Sequence, residues 1–416
     1  MGLKRKKEYL ASIDLGTSKT TCIVCEINDE DKIEVIGFGC SLGKGLKKGM
    51  IINLEEVLSS IKRAVEEAEM MSEITVGEAF VGIAGTHIKS FNSTGATTVK
   101  GKHGEISEAD IYEVIEAAQT VLIPEDREII HLLPMEFIVD GHEGVTDPLG
   151  MNGSRLEVRV HIITGSISSI KNVISCINKA GIEVKDVVSN QLASAQATAF
   201  DDEKNLGVAV ADIGAGTTDL SVYAGGHLEY TTVLPLGGDH FTNDIAVGLR
   251  TTVHTAEKIK RKYGNLDSTE REDETLIKID GIGNSDSMRK IPVHLLNEIL
   301  MPRAEELVTI IKSDLERMGH FKNINAGMIL TGGGSLLRGF SNLAEKVINL
   351  PVRIGTPAAN MAGLSEVTDN PAYAASVGIL QYGHANYEKR KMSPFLRRKP
   401  IQRIRQNLKE VFSSLF

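Results

Sequence analysis

Two short stretches carry residues that suit phosphate chemistry. They are Asp14-Leu15-Gly16-Thr17-Ser18-Lys19 and Asp212-Ile213-Gly214-Ala215-Gly216-Thr217-Thr218-Asp219. Each places an aspartate at the end of an apolar run, then a turn of glycines and hydroxyl residues. Glycine lets backbone N–H groups approach an anion with no Cβ in the way. The hydroxyls of Thr17, Ser18, Thr217 and Thr218 add donors, and Lys19 adds a point charge for a terminal phosphate. Two such turns facing each other would clamp a phosphate chain from both sides. Asp14 and Asp212 suit a hydrated magnesium ion (Mg2+), which keeps most of its waters and uses few protein ligands. Gln191 and Asp219 are the nearby groups that could position an attacking water. A tight, capped turn would account for either stretch alone. A third element weighs against that plainer reading: Leu330-Thr331-Gly332-Gly333-Gly334-Ser335, an apolar run ending in three glycines. Gly332, Gly333 and Gly334 leave bare backbone against which a flat base or a phosphate could pack. The segment is neither a P-loop, since no G-K-[ST] follows, nor a dinucleotide fingerprint.

The elements that must position these residues follow from periodicity. Strands are expected over 9–15, 21–27 and 33–39, a helix over 54–70, and a strand over 78–84. Residues 86–163 change character: short strands, Gly-rich turns and a helix over 107–119, with Ser107 as its N-cap, indicate an inserted α+β unit. Helices follow over 167–180, ended by Gly181, and over 190–200. The pattern then restarts, with strands over 206–212, 220–223 and 228–233, helices over 239–262 and 291–318, and a polar stretch of loop and edge strands at 264–290. A strand over 326–331 and helices over 335–348 and 371–383 complete it. Both halves open with strand, turn and strand, a weak internal duplication.

The chain has 416 residues, 42% hydrophobic and 24% charged, enough for two or more domains with sizeable cores. A formal net charge of −9 argues against nucleic-acid binding by the body of the protein. Four cysteines are too few for a disulfide scaffold. Cys22 and Cys25 lie in an apolar run and point to opposite faces of a strand, so they read as buried thiols, as suits a reducing cytosol. The basic start is not followed by the apolar segment of a signal peptide, and no apolar stretch is long enough to span a membrane.

The end of the chain differs. Residues 384–399 are polar and basic, a linker that carries Arg397 and Arg398. Residues 400–416, PIQRIRQNLKEVFSSLF, place Ile401, Ile404, Leu408, Val411, Phe412 and Leu415 on one helical face, with basic residues at the flank. A helix of that length reaches about 25 Å, short of the ~30 Å hydrocarbon layer. It is therefore expected to lie in the interface of an anionic membrane. Burial of the apolar face is largely offset by the entropy of ordering the tail. One tail then binds reversibly, whereas several tails on one polymer bind strongly through effective concentration.

The order of turn, helix at 190–200, turn, Ala256-Glu257-Lys258-Ile259-Lys260-Arg261 and the Gly332–Gly334 run resembles the actin/Hsp70/sugar-kinase superfamily over nearly the whole chain. The resemblance implies an α/β, actin-like fold: two ribonuclease-H-like domains around a nucleotide cleft, with an inserted subdomain. It makes the turns phosphate loops and the glycine run an adenosine motif, and it places Glu257 and Lys260 at the ribose. It makes 369–380 a second connecting helix, in which Gly378 allows close packing. Within the superfamily, Gly82–Ile88, Ile123–Ile129, Asp147–Met151 and His161–Gly165 resemble the FtsA family of bacterial cell-division proteins.

That resemblance implies subdomain 1A over 8–85, 164–200 and 366–383, 1C over 86–163, 2A over 201–240 and 326–365, and 2B over 241–325. A linker then covers 384–399 and a membrane-targeting amphipathic helix covers 400–416. It implies ATP with Mg2+ as cofactors, hydrolysis weak or absent, and self-assembly into filaments at the cytoplasmic face of the inner membrane, at the division septum. It implies a tether for the tubulin-like division protein FtsZ, whose acidic C-terminal peptide would meet Arg289 and Arg303. Later divisome proteins would bind through 1C. A sugar-kinase-like phosphotransferase and a PilM-like pilus-assembly homologue are the alternatives. The insertion and the tail have no use in the first, and the second does not need an amphipathic tail.

Overall fold

The computed structural model describes residues 8–28, 32–267, 276–279, 289–357 and 361–392. The membrane-tail residues Arg397, Arg398, Ile401, Ile404, Leu408, Val411, Phe412 and Leu415 lie outside this set.

The chain opens with an antiparallel meander, β1 (Glu8–Leu15), β2 (Lys19–Ile27) and β3 (Ile33–Leu42). A miniature hairpin, β4 (Leu46–Lys47) and β5 (Met50–Ile51), leads into α1 (Leu54–Ser72) and then β6 (Glu78–Ile83). The side chain of Asn53 accepts hydrogen bonds from the Glu55 and Glu56 amides and so caps α1. The helical period of Leu54, Val57, Leu58, Ile61, Val65 and Ala68 is met by burial of Val57, Ile61, Val65 and Ala68, with Ala64 beside them, whereas Leu54 at the helix start is exposed.

The inserted unit follows: β7 (Lys89–Thr98), α2 (Glu108–Gln119), β8 (Arg127–Val139), β9 (His142–Val145) and β10 (Arg155–Ser166). Its sheet has the order β7-β10-β8-β9, all antiparallel, and α2 closes a small core with Ile106, Val114, Ala118, Leu156, Val158 and Val160. Ser107 caps α2 in a reciprocal box with Asp110. The chain then returns through α3 (Ile167–Lys179) and β11 (Glu183–Ser189) to the first sheet, and α4 (Asn190–Thr198) leaves it.

The second half repeats the theme. After α5 (Asp201–Leu206) comes a meander of β12 (Val208–Ile213), β13 (Thr218–Ala224) and β14 (His227–Leu234). Next are α6 (Gly238–Gly248), α7 (Val253–Tyr263), the hairpin β15 (Leu276–Ile279) with β16 (Arg289–Pro292), and α8 (Val293–Arg317). Then come β17 (Met328–Thr331), α9 (Phe340–Ile348), β18 (Val352–Ile354), β19 (Met361–Gly363), α10 (Ser365–Thr368) and α11 (Ala374–Met392). The first sheet runs β11-β6-β1-β2-β3-β19 and the second runs β14-β13-β12-β17-β18. Apart from β19, the two have one topology, three antiparallel strands followed by two parallel ones. The duplication seen weakly in the sequence is thus explicit in the sheets.

Several boundaries differ from the sequence reading. The helix expected over 239–262 is two, α6 and α7, because Arg250 turns into the left-handed region (φ 49) and the Thr252 side chain caps a new start. The helix expected over 335–348 is a 3-10 turn at Gly333–Leu336 and then α9, broken at Gly339 (φ 76). The chain rejoins the first sheet at Met361 rather than 366, because β19 pairs with β3. At Gly363 (φ 110) an added Cβ would lie 2.3 Å from the Val35 carbonyl oxygen. Helix α11 runs on to Met392, into the stretch read as linker. Cys22 and Cys25 face different cores, and burial pushes both thiols up to about 12, so neither is reactive near neutral pH.

Histidines stitch the insertion to its neighbours. His131 on β8 is buried, and its Nε2 accepts the Ser189 amide N–H at 2.9 Å. His161 on β10 pairs with Asn92 Oδ1 at 2.6 Å and with Thr231 Oγ1 of β14 at 3.2 Å. Burial pulls both imidazoles down to about 4. A histidine depressed below its ordinary value contributes stability above pH 6.5, and that contribution is lost as pH falls toward 4. Each is worth up to ~3 kcal/mol over that window. We expect His131→Gln, whose amide oxygen can still accept from Ser189, to flatten the fall of the melting midpoint between pH 6.5 and 4.5. An unchanged acid slope would show that His131 does not set it.

Candidate nucleotide cleft

The turns between β1 and β2 and between β12 and β13 close in the same way. The Gly16 N–H donates to the Lys19 carbonyl at 2.9 Å, and the Gly214 N–H donates to the Thr217 carbonyl at 2.9 Å. The second turn rests on Gly237 and Gly238 at the start of α6; the Gly238 N–H donates to the Gly214 carbonyl at 2.8 Å. The tips meet, since a Cβ on Gly216 would lie 2.9 Å from Thr17 Oγ1.

Asp14, Asp212 and Asp219 stand at this junction, each less than a tenth exposed. One short helix holds all three. From α4, Asn190 Nδ2 donates to Asp14 Oδ1 at 3.0 Å, Gln191 Nε2 donates to Asp219 Oδ1 at 3.0 Å, and the Ser194 hydroxyl donates to Asp212. From α11, the Ser376 hydroxyl reaches Asp14 Oδ2 at 3.3 Å. Sequence reasoning missed Asn190, Ser194 and Ser376. The available signal was a run of polar residues, Asn190, Gln191 and Ser194, in a helix that is buried almost throughout.

Electrostatically the cleft has more negative charge than its own cations balance. Burial raises Asp14, pushes Asp212 up to about 6, with Asp14 adding, and holds Asp219 well above the usual carboxylate range, with Asp212 and Asp14 adding. Burial also pulls Lys19 down, against the pull of Asp14. The Lys19 ammonium donates to the Ala372 carbonyl and lies 3.9 Å from the centre of the Tyr373 ring. The buried oxygens Asn190 Oδ1 and Gln191 Oε1 have no hydrogen-bond partner among the described residues. Clustered carboxylates with orphaned acceptors fit a hydrated cation. Among the described residues, no group of three or more acidic, histidine or cysteine side chains is placed to hold a metal ion directly.

The glycine run packs on β12. A Cβ on Gly332 (φ 80) would lie 2.2 Å from Asp212 Oδ1, and one on Gly334 would lie 2.4 Å from Ile213 Cγ2, whereas Gly333 is open. The Gly332 N–H donates to the Pro371 carbonyl at 3.0 Å, linking the run to the segment that receives Lys19. On α7, Glu257 and Lys260 pair at 2.7 Å, and Lys260 Nζ reaches the Gly238 carbonyl at 2.9 Å and Thr242 Oγ1 at 2.7 Å. Lys260, with Thr242 and Arg261, draws Glu257 down to about 2, overcoming the opposing effect of burial. The pair thus stands beside the second turn as a fixed, charged wall. Arg289 and Arg303 lie away from the cleft. Arg289 donates to the Leu249 and Arg250 carbonyls, at 2.6 and 2.9 Å, at the end of α6. Arg303 holds Asp244 with Nε at 2.6 Å and Nη2 at 3.1 Å, and also pairs with Glu306.

Known proteins bear on this arrangement. A family model described as "Cell division protein FtsA" matches residues 209–378, and one described as "SHS2 domain inserted in FTSA" matches residues 85–164, the inserted unit. The chain is 41% identical to the FtsA of Pseudomonas aeruginosa, over 90% of this chain and 89% of that one. It is 37% identical to that of Bacillus subtilis (91% and 84%) and 31% identical to that of Escherichia coli K12 (92% and 91%). Among solved structures, a PilM-PilN type IV pilus biogenesis complex superposes with TM-score 0.65 at 17% identity, over 90% of this chain and 98% of that one. MreB5 of Spiroplasma citri bound to AMPPNP superposes with TM-score 0.57 at 16% identity, over 92% and 98%. At those identities the structural likeness establishes the actin-like fold alone. The identities to FtsA proteins along nine-tenths of the chain, with the family's insertion at the place it occupies here, go further: this chain belongs to the FtsA family of cell-division proteins.

Proposed function

We propose that the chain binds ATP with Mg2+ between its two glycine turns and works in cell division as a self-assembling membrane tether. The observation that carries the reading is the pair of equivalent turns, each led by a buried carboxylate and meeting tip to tip at Thr17 and Gly216. The MreB5 structures bound to ADP and AMPPNP, which share the fold, lend it support. Asp14 and Asp212 would hold the hydrated ion, which supplies charge neutralisation for the phosphates. The N–H groups and hydroxyls of Gly16, Thr17, Ser18, Gly214, Gly216, Thr217 and Thr218 cradle the phosphate oxygens, and Lys19 adds charge. The run Gly332, Gly333 and Gly334, seated on β12 through its outer two glycines, would offer its open backbone at Gly333 to the base, with Glu257 and Lys260 at the ribose. Gln191 and Asp219 would position an attacking water; Gln191 donates to Asp219, and its buried oxygen has no hydrogen-bond partner among the described residues.

Attachment belongs to residues 393–416, whose apolar and basic pattern suits an interfacial helix at the cytoplasmic face of the inner membrane. Among the described residues no helix is long and apolar enough to cross a membrane. The acidic C-terminal peptide of FtsZ would meet Arg289 and Arg303, and later divisome proteins would meet the inserted unit. Arg289 is the better placed of the two arginines, because a single nitrogen serves its internal bonds, whereas Arg303 is engaged through all three. The test is co-sedimentation with anionic liposomes, with and without ATP, of the full chain and of one ending at Lys391. The full chain should pellet, more strongly with ATP, and the shortened chain should stay in solution. Equal pelleting of both would reject the tail as the anchor.

A further inference from the structure

Beside the two turns lies a lysine in a conformation that lysine disfavours. The β4–β5 hairpin turns on Lys48 and Gly49, at φ 50 and 77. Positive φ at both central residues makes this a type I′ turn, for which Asn-Gly, Asp-Gly or Gly-Gly are the favoured pairs. A lysine there costs about 1 kcal/mol in backbone strain. Such outliers persist where the surroundings enforce them, and they cluster at working sites.

The surroundings do enforce it. The Gly43 N–H donates to the Ser18 carbonyl at 2.9 Å, and a Cβ on Gly43 would lie 2.6 Å from the Gly16 carbonyl oxygen, so the segment rides on the first turn. A Cβ on Gly49 would lie 2.4 Å from Gly85 Cα, which wedges the hairpin against the end of β6. On its other side, a Cβ on Gly216 would lie 3.4 Å from both Lys48 N and Lys48 Cα and 2.9 Å from Thr17 Oγ1. Lys48 therefore sits where the two turn tips converge. It is half-buried, and its ammonium has no ion-pair or hydrogen-bond partner among the described residues. Three buried carboxylates and Lys19 stand at the same junction.

We propose that Lys48 reads the terminal phosphate: its ammonium closes the far end of the phosphate channel and favours a nucleoside triphosphate over a diphosphate. Lys19 is held by the Ala372 carbonyl on the first domain's side, and the Lys48 backbone lies beside Gly216, whose added Cβ would also meet Thr17 Oγ1. The two lysines thus bracket the phosphate chain. A lysine is suited to this as a point charge on a flexible four-carbon stem. Because its backbone touches Gly216 of the second half, the charge is delivered fully only when the halves are drawn together. The inference rests on the nucleotide reading above.

The test compares Lys48→Gly and Lys48→Arg in the full chain, with Mg·ATP and Mg·ADP affinities measured by calorimetry and melting midpoints recorded without nucleotide. Lys48→Gly relieves the turn, so it should melt at or above the parent, which removes misfolding as an explanation. It should lose about tenfold in ATP affinity, with ADP affinity within about twofold, in keeping with one charge-assisted contact. Lys48→Arg should keep most of the preference for ATP. Equal losses for ATP and ADP, or no loss for either, would overturn the proposal. A parent chain that binds neither nucleotide would remove the nucleotide reading itself.

Discussion

Asp212→Asn should make the nucleotide-free protein more stable and nearly abolish its binding of Mg·ATP. Burial, with Asp14 adding, holds the Asp212 carboxyl up at about 6 against an ordinary 3.8. A carboxylate raised in the folded state opposes folding wherever it is ionised. Its penalty is fully present above pH 6 and fades as pH falls toward 4. The shift corresponds to about 3 kcal/mol at pH 7.5. Asparagine keeps an oxygen to accept the Ser194 hydroxyl and carries no charge, so most of that penalty disappears. The melting midpoint should rise by several degrees at pH 7.5, and the gain should vanish near pH 4.5. In the same variant, loss of one of two ligands for a hydrated cation should lower ATP affinity at least tenfold. A variant destabilised at pH 7.5 would show that the carboxylate acts as a structural acceptor rather than as a charge waiting for a cation.

Gly378→Ala should be among the most damaging single changes. Helices α4 and α11 cross there so closely that an added Cβ would lie 1.8 Å from the Ala193 carbonyl oxygen. That neighbour is helix backbone and cannot turn aside. Overpacking of this kind costs ~3 kcal/mol or more. The damage should also reach the cleft, because α4 carries Asn190, Gln191 and Ser194 and α11 carries Ser376. Chemical denaturation should show the loss of stability, and nucleotide titration a parallel loss of affinity. Gly333→Ala is the control: its added Cβ meets only Ala372 Cβ, at 3.9 Å, and should cost under 1 kcal/mol in stability. If the two alanine variants were equally stable, the close crossing of α4 and α11 would not be what holds the halves in register.

The contrast between these glycines shows what sequence could and could not convey. The two turns were legible because their chemistry is local: Asp, glycine and hydroxyl residues within a few positions of one another. The internal duplication was legible for the same reason, and the sheets repeat it strand for strand. Gly332 and Gly334 read as open backbone for a ligand, but their first requirement is packing against Asp212 and Ile213. Only a folded β12 reveals that. Asn190, Ser194 and Ser376 went unread because their partners lie on strands far away in sequence, and no local spacing marks them. The break between α6 and α7 did carry a signal, Thr252 before Val253, masked by apolar residues that continue at helical spacing across the turn. Arg289 and Arg303 read as charges for a partner, and their bonds to the end and flank of α6 could not be read from the sequence. Lys48 stood in the sequence as one of several lysines, and only its backbone conformation sets it apart.

The chain's membership of the FtsA family fixes the frame of its biology, and the cleft geometry supplies the physical hypothesis inside it. Three buried carboxylates are held by one helix, with too little positive charge around them, in a space where two glycine turns touch. Such a site should be incomplete without a cation and a polyanion together. The most direct measurement is calorimetric titration of ATP into the full chain at pH 7.5, with magnesium and then with excess chelator. The account predicts saturable binding with magnesium and a loss of at least tenfold in affinity without it. Binding of equal strength in both conditions, or none in either, would contradict it.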